Sequence, residues 1–181
     1  MDFNFELTDL YAVCVKVFFL EKKMKLEPIF TVKNNKLYKI SDNSPVDIAS
    51  LKKIEIKWST VEISDEAYNE EYLAQLREEL KQLEAQNIFA VLVPVVDKPL
   101  ETPEQTELFI NAFNHTARRV KDCTSVAGLE LPQTIVAKGF VPDAPATAFM
   151  ETLAIKHEQY VYFVKADSAT QDSIPDNIAT I

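Results

Sequence analysis

The run IFAVLVPVV, from Ile88 to Val96, decides how this chain is read. It has no charge and no polar alternation, which is the pattern of a strand covered on both faces, as strands are in a parallel sheet between packed layers. Just before it, Tyr72, Leu73, Leu76, Leu80 and Leu83 recur every three or four residues. Arg77, Glu78, Glu79, Lys81 and Glu84 fall on the opposite side, so this segment reads as an amphipathic helix. Ser64-Asp65-Glu66 is the expected N-cap, with acids for the first turn. Further upstream, Ile54, Ile56 and Trp58 alternate as a short strand.

The same unit repeats downstream. Thr102-Pro103-Glu104 combines a cap, a first-turn proline and an acid, and Leu108, Phe109, Ala112, Phe113 and Val120 form a buried stripe. Val126 to Leu131 then reads as a strand. A third unit runs from Asp143 and Pro145 through Phe149, Met150, Leu153 and Ile155 to a strand at Tyr160–Val164. Four strands, beginning near residues 54, 88, 126 and 160, each returned by a helix, predict an α/β fold with a parallel sheet. The expected architecture is a partial (β/α) barrel or an open, mainly parallel sheet with flanking helices, preceded by an N-terminal β-hairpin region.

The hairpin is read from Ile29–Lys33 and Lys36–Ile40 around Asn34-Asn35, because asparagine tolerates the positive φ of a two-residue turn. Before it, Tyr11, Val13, Val15, Val17 and Phe19 alternate as another strand. The apolar run Leu10–Leu20 follows Asp2, Glu6 and Asp9 and contains Lys16, so it reads as a strand rather than an export signal or a membrane span. The expectation is one domain over residues 1–181: a β-rich part to 45, β/α units over 46–165, and a polar tail over 166–181 in which Ile174, Ile178 and Ile181 can pack. Its expected location is the cytoplasm.

Of 181 residues, 47% are hydrophobic, enough for one sizeable core, and the net charge of -9 disfavours nucleic acid and anionic membranes as partners. The only two glycines, Gly128 and Gly139, cannot build a glycine-rich phosphate cradle, and the reading assigns no cofactor and no metal. Cys14 and Cys123 read as buried free thiols. His115 reads as a packed or surface histidine, and His157 as a complement to a helix C-terminus. Arg118, Arg119 and Lys121 read as a solvated helix face near its end.

Chemistry is sought at the C-terminal ends of the strands, where parallel α/β folds carry their sites. Asp97 closes the Ile88–Val96 strand and Glu130 lies near the end of the next. With Trp58 they make the candidate site: an aromatic platform for a sugar ring and two acids. The bland alternative has Asp97 capping a loop, Glu130 facing solvent or a partner, and Trp58 in the core.

The stretch from Leu51 to Pro132 resembles the first half of the cellulase-type glycoside hydrolases of family 5 and its clan. The residues that carry the resemblance are Ile54-Glu55-Ile56-Lys57-Trp58, Glu71-Tyr72-Leu73 with Leu76, Ile88 to Asp97, and Ala117-Arg118-Arg119-Val120-Lys121-Asp122 leading to Val126–Pro132. The resemblance implies a TIM-barrel framework, here diverged and truncated, and an acid/base glutamate at Glu130. The family has Asn-Glu-Pro there, whereas this chain has Glu130-Leu131-Pro132 with no preceding asparagine. Where the family tends to carry a histidine after its third strand, this chain has Asp97. The family's nucleophile lies on a seventh strand, and a full barrel takes about 250 residues. With these departures the resemblance implies a non-catalytic, glycosidase-like domain that binds a carbohydrate or a protein partner, with a homodimer completing the barrel. Two alternatives stand beside it: a glycoside hydrolase using Asp97 and Glu130, completed by a second copy, and a flavodoxin-like interaction module.

Overall fold

A computed structural model describes residues 26–64, 67–165 and 174–181. The strand read at Tyr11–Phe19 and the thiol of Cys14 lie outside them. The hairpin forms as expected, with β1 (Phe30–Lys33) antiparallel to β2 (Lys36–Lys39). Asn34 and Asn35 take φ of 49° and 60°, the left-handed conformation of the tight turn.

The main sheet has five parallel strands in the order in which the chain makes them. They are β3 (Lys52–Lys57), β6 (Ala90–Val95), β7 (Val126–Glu130), β8 (Val161–Val164) and β9 (Ile178–Thr180). Each strand lies beside its predecessor, as in a singly wound barrel; a flavodoxin-like sheet would reverse direction at a switch point. The fifth strand falls in the segment read as a polar tail, where Ile174 and Ile178 are buried.

Alternation along the strands divides the core in two. Ile54, Ile56, Ala90, Leu92, Val126 and Leu129 pack against the long helices α2 (Glu70–Ala85), α3 (Pro103–Arg119) and α5 (Pro145–His157). On the other face Val91, Ala127, Phe163 and Ala179 meet Phe30 and Leu37 of the hairpin and Leu51. The hairpin therefore covers the face that a closed barrel turns inward. It also covers the outer edge of β9. Asn35 donates its backbone N–H to Asp176 O and accepts from Thr180 N, both at 3.1 Å, and its side-chain amide donates to the carbonyls of Pro175 and Ile178 at 2.8 Å. The opposite edge strand, β3, exposes Lys52, Lys53, Glu55 and Lys57, and charges of this kind discourage strand addition.

Two local expectations are corrected. Trp58 does not end the strand but opens a short helix, α1 (Trp58–Val61). The long helix is not capped at Ser64. Glu62–Ser64 (β4) pairs antiparallel with Ala67–Tyr68 (β5), and Asn69 caps α2 by accepting from Tyr72 N. The α3 start is as expected, with a capping box between Thr102 and Gln105. A four-residue helix, α4 (Gln133–Val136), follows β7. No helix among the described residues is long and apolar enough to cross a membrane.

Candidate functional site

The segments after β3 and β6 and the last residue of β7 place the three candidate residues at the C-terminal end of the sheet, each in a separate setting. Trp58 is 2% exposed. One ring edge meets Phe109 in a T-shaped contact at 5.4 Å, and its indole Nε1 donates to Glu62 Oε2 at 2.7 Å. The Lys98 ammonium stands 5.0 Å from the ring centroid and reaches Glu62 Oε2 at 3.0 Å and Glu62 O at 2.8 Å. The indole is thus a core group tied to a buried carboxylate, with no open face on which a sugar ring stacks. Glu62 is itself 3% exposed, and its Oε1 has no hydrogen-bond partner among the described residues. Lys98 has no signal in the sequence, because only folding brings the loop after β6 to the one after β3.

Asp97 holds the start of α1. Its Oδ1 accepts from Ser59 N at 2.9 Å and its Oδ2 from Ser59 Oγ at 2.5 Å. Burial alone would push this carboxyl up, but the two hydrogen bonds from Ser59 and the nearby Lys57 charge outweigh it and hold Asp97 below the usual carboxylate range. The backbone residue ahead of α1, Lys57, offers no side-chain cap, so the acid at the end of the neighbouring strand supplies one.

Glu130 sits beside Phe163 in the register of β7 and β8, on the hairpin-covered face, and is 5% exposed. Lys53 reaches its Oε2 at 3.2 Å from β3, and Lys165 reaches its Oε1 at 3.3 Å from the end of β8. The carboxylate thus ties three strands together. Each of the two candidate acids therefore has both oxygens engaged within the chain. The two acids and Trp58 share no hydrogen-bond partner: Ser59 serves Asp97, the two lysines serve Glu130, and Glu62 serves Trp58.

Open space lies elsewhere, between the helices. A cleft of about 760 Å³ separates the N-terminal ends of α3 and α5, lined by Glu107, Ile110, Val141 and Ala148 among others. Another, of about 840 Å³, runs between α2 and the end of α3 past Arg77, Glu78 and Arg119. Neither is lined by Trp58, Asp97 or Glu130. Among the described residues no group of three or more His, Cys, Asp or Glu is placed to hold a metal ion.

Cys123 is a buried free thiol whose pKa is pushed up to about 11, first by burial and then by the Asp122 charge. His115 stacks on Tyr68 at 4.0 Å between ring centroids and shares a 2.8 Å hydrogen bond with Glu70. His157, expected to complement a helix end, is instead 2% exposed, and neither ring nitrogen has a hydrogen-bond partner among the described residues.

No protein-family model matches the sequence, and neither does any curated protein. Solved structures do. The chain is similar to endo-glycoceramidase II from Rhodococcus sp. in a cellobiose-like imidazole complex, with a TM-score of 0.52 and 13% identity over 71% of this chain and 47% of that one. A second structure of that protein gives a TM-score of 0.50 and 14% identity over 86% of this chain and 55% of the other. A GH5_18 protein from Bifidobacterium longum subsp. infantis gives 0.49 and 11% over 65% and 35%. The chain spans about half the length, or less, of the structures it matches. At such identities the likeness is one of fold: a glycosidase-like α/β domain, present in part.

Proposed function

We propose that this chain is a glycosidase-like domain that works by binding, to a carbohydrate or to a protein partner (a second copy included), and does not cleave glycosidic bonds. One observation carries the reading: both oxygens of Asp97 are taken by Ser59, and both oxygens of Glu130 by Lys53 and Lys165. Retaining hydrolysis needs two carboxyl groups about 5 Å apart, one free to attack the anomeric carbon and one free to trade a proton with the leaving oxygen. Groups committed to a helix start and to a three-strand tie are structural. The hairpin supports the same reading, since it occupies the inner face and one edge of the sheet with the chain's own residues.

The test is hydrolysis of a panel of aryl-glycosides by the wild type and by Glu130→Gln, with thermal melting to confirm that both are folded. The expected result is the uncatalysed rate from both proteins. A wild-type rate above background that falls in Glu130→Gln would show that Glu130 acts on substrate and overturn the reading.

A further inference from the structure

Near the C-terminal ends of α3 and α5 lies a smaller cleft of about 250 Å³, lined by Asn111, Asn114, His115, Arg118, Lys156 and His157, together with Tyr68. Among the described residues no acidic side chain lines it, in a chain whose net charge is -9. The carboxylate nearest by contact, Glu70 of α2, is already shared between Arg119 at 2.9 Å and His115 at 2.8 Å. Glu158, which follows His157, is exposed and has a partner of its own.

His157 lines this cleft and is buried, and among the described residues neither of its ring nitrogens has a hydrogen-bond partner. A neutral imidazole has one nitrogen that donates and one that accepts, so leaving both unmet in the interior costs stability. Such an orphan calls for a partner. Among the described residues the charged groups that act on it are cationic: Lys121 from the turn after α3, Lys156 from its own helix and Arg118 from α3. Tyr160 stacks on it at 6.1 Å between ring centroids and has its hydroxyl turned to Val120 O. Arg118 uses one guanidinium nitrogen on His115 Nδ1, at 2.8 Å, which leaves the rest of its fork for another acceptor.

The charged side chains that line the cleft, Arg118 and Lys156, are both cationic, and the acceptors beside them, such as the amide oxygens of Asn111 and Asn114, carry no net charge. We propose that it is an oxyanion site, in which Arg118 and Lys156 supply charge, Asn111 and Asn114 supply amide donors, and a change of side-chain torsion brings a ring N–H of His157 onto the bound anion. A free phosphate and the phosphate of a phosphorylated sugar share this chemistry and fit the volume. The assignment goes beyond the solvated helix face that Arg118 suggests in the sequence, because that pattern does not show Lys156 and His157 converging on it from α5.

With two histidines in the chain, the ring signals in a ¹H–¹³C correlation spectrum are easily assigned using His115→Gln. Inorganic phosphate and glucose 6-phosphate are titrated in separate arms at constant ionic strength, with glucose as the neutral control. The expected result is a saturable shift of the His157 signal with phosphate, and a His157 titration midpoint that rises above its anion-free value of about 4. Glucose 6-phosphate binding more tightly than phosphate would identify a phosphorylated sugar as the ligand; equal binding would identify the free ion. In Arg118→Ala/Lys156→Ala, two substitutions at exposed positions, affinity should fall about tenfold or more. No saturable shift with either anion, or undiminished binding by the double variant, overturns the proposal.

Discussion

Trp58 shows how one residue can satisfy a pattern and still serve a different purpose. Its place at the end of an alternating strand suggests an aromatic surface for a sugar, yet the indole is 2% exposed and hydrogen-bonded to Glu62. Removing it leaves a large cavity and takes one of two donors from the buried Glu62 carboxylate, so Trp58→Ala should lower stability by about 4 kcal/mol. Urea denaturation checks this, and a midpoint like the wild type's would contradict a core role. Gly128 is the other residue whose identity is dictated by space. A Cβ placed there would lie 1.8 Å from Val161 O on the neighbouring strand, and backbone cannot give way as a flexible side chain can. Gly128→Ala should therefore force β7 and β8 apart, costing about 3 kcal/mol or more, and a thermal melt within a few degrees of wild type would count against that packing. Neither role is legible in the order of residues along the chain. Asp97 does close a strand, as its position suggests, but its bond to Ser59 spans the gap between two loops that only folding brings together.

At the scale of elements, sequence and structure agree wherever the chemistry is local. Thr102 with Gln105 caps α3, and Asn34-Asn35 makes the hairpin, because caps and tight turns are decided within a few residues. The cap signal at Ser64 has a close competitor in Asn69-Glu70-Glu71, whose cap chemistry is equally good. The competitor wins because Glu62–Ser64 extends into a small strand pair. The last strand gives no signal of its own: its three residues, Ile178–Thr180, are too short to show alternation and are held partly from the edge by Asn35. Asn35→Ala loses two side-chain hydrogen bonds and an asparagine suited to φ of 60°. It should cost about 2 kcal/mol, seen as a lower urea midpoint. In α5, burial, followed by the charges of Lys121, Lys156 and Arg118, lowers the His157 pKa from 6.5 to about 4. The unfolded chain then binds a proton that the native chain refuses. Stability from this group is full above pH 6.5, falls as the pH drops towards about 4, and is level below that. His157→Phe should flatten this part of the stability–pH curve; an unchanged slope would mean another group titrates there.

For the whole molecule, the order of the strands and the placement of the hairpin matter more than any single side chain. The α/β class and the parallel sheet are legible in the sequence because each buried run and each amphipathic stripe announces one layer. The relation between the hairpin and the sheet is not, since it rests on contacts between Phe30 or Leu37 and residues as distant as Phe163 and Ala179. Those contacts explain how part of a glycosidase-like fold can bury the face that a complete barrel fills with its remaining strands. They also bear on function, because the covered face is the one that carries Glu130. If the hairpin closes the half-sheet as an integral layer, it must unfold together with that sheet. Native-state hydrogen exchange tests this most directly, read at the amides of Asn35 and Thr180, which join the hairpin to β9, and at Leu92 in the centre of the sheet. The account predicts that all three exchange only through global unfolding, with the same free energy. Exchange of Asn35 and Thr180 at near-unfolded rates while Leu92 stays protected would contradict it.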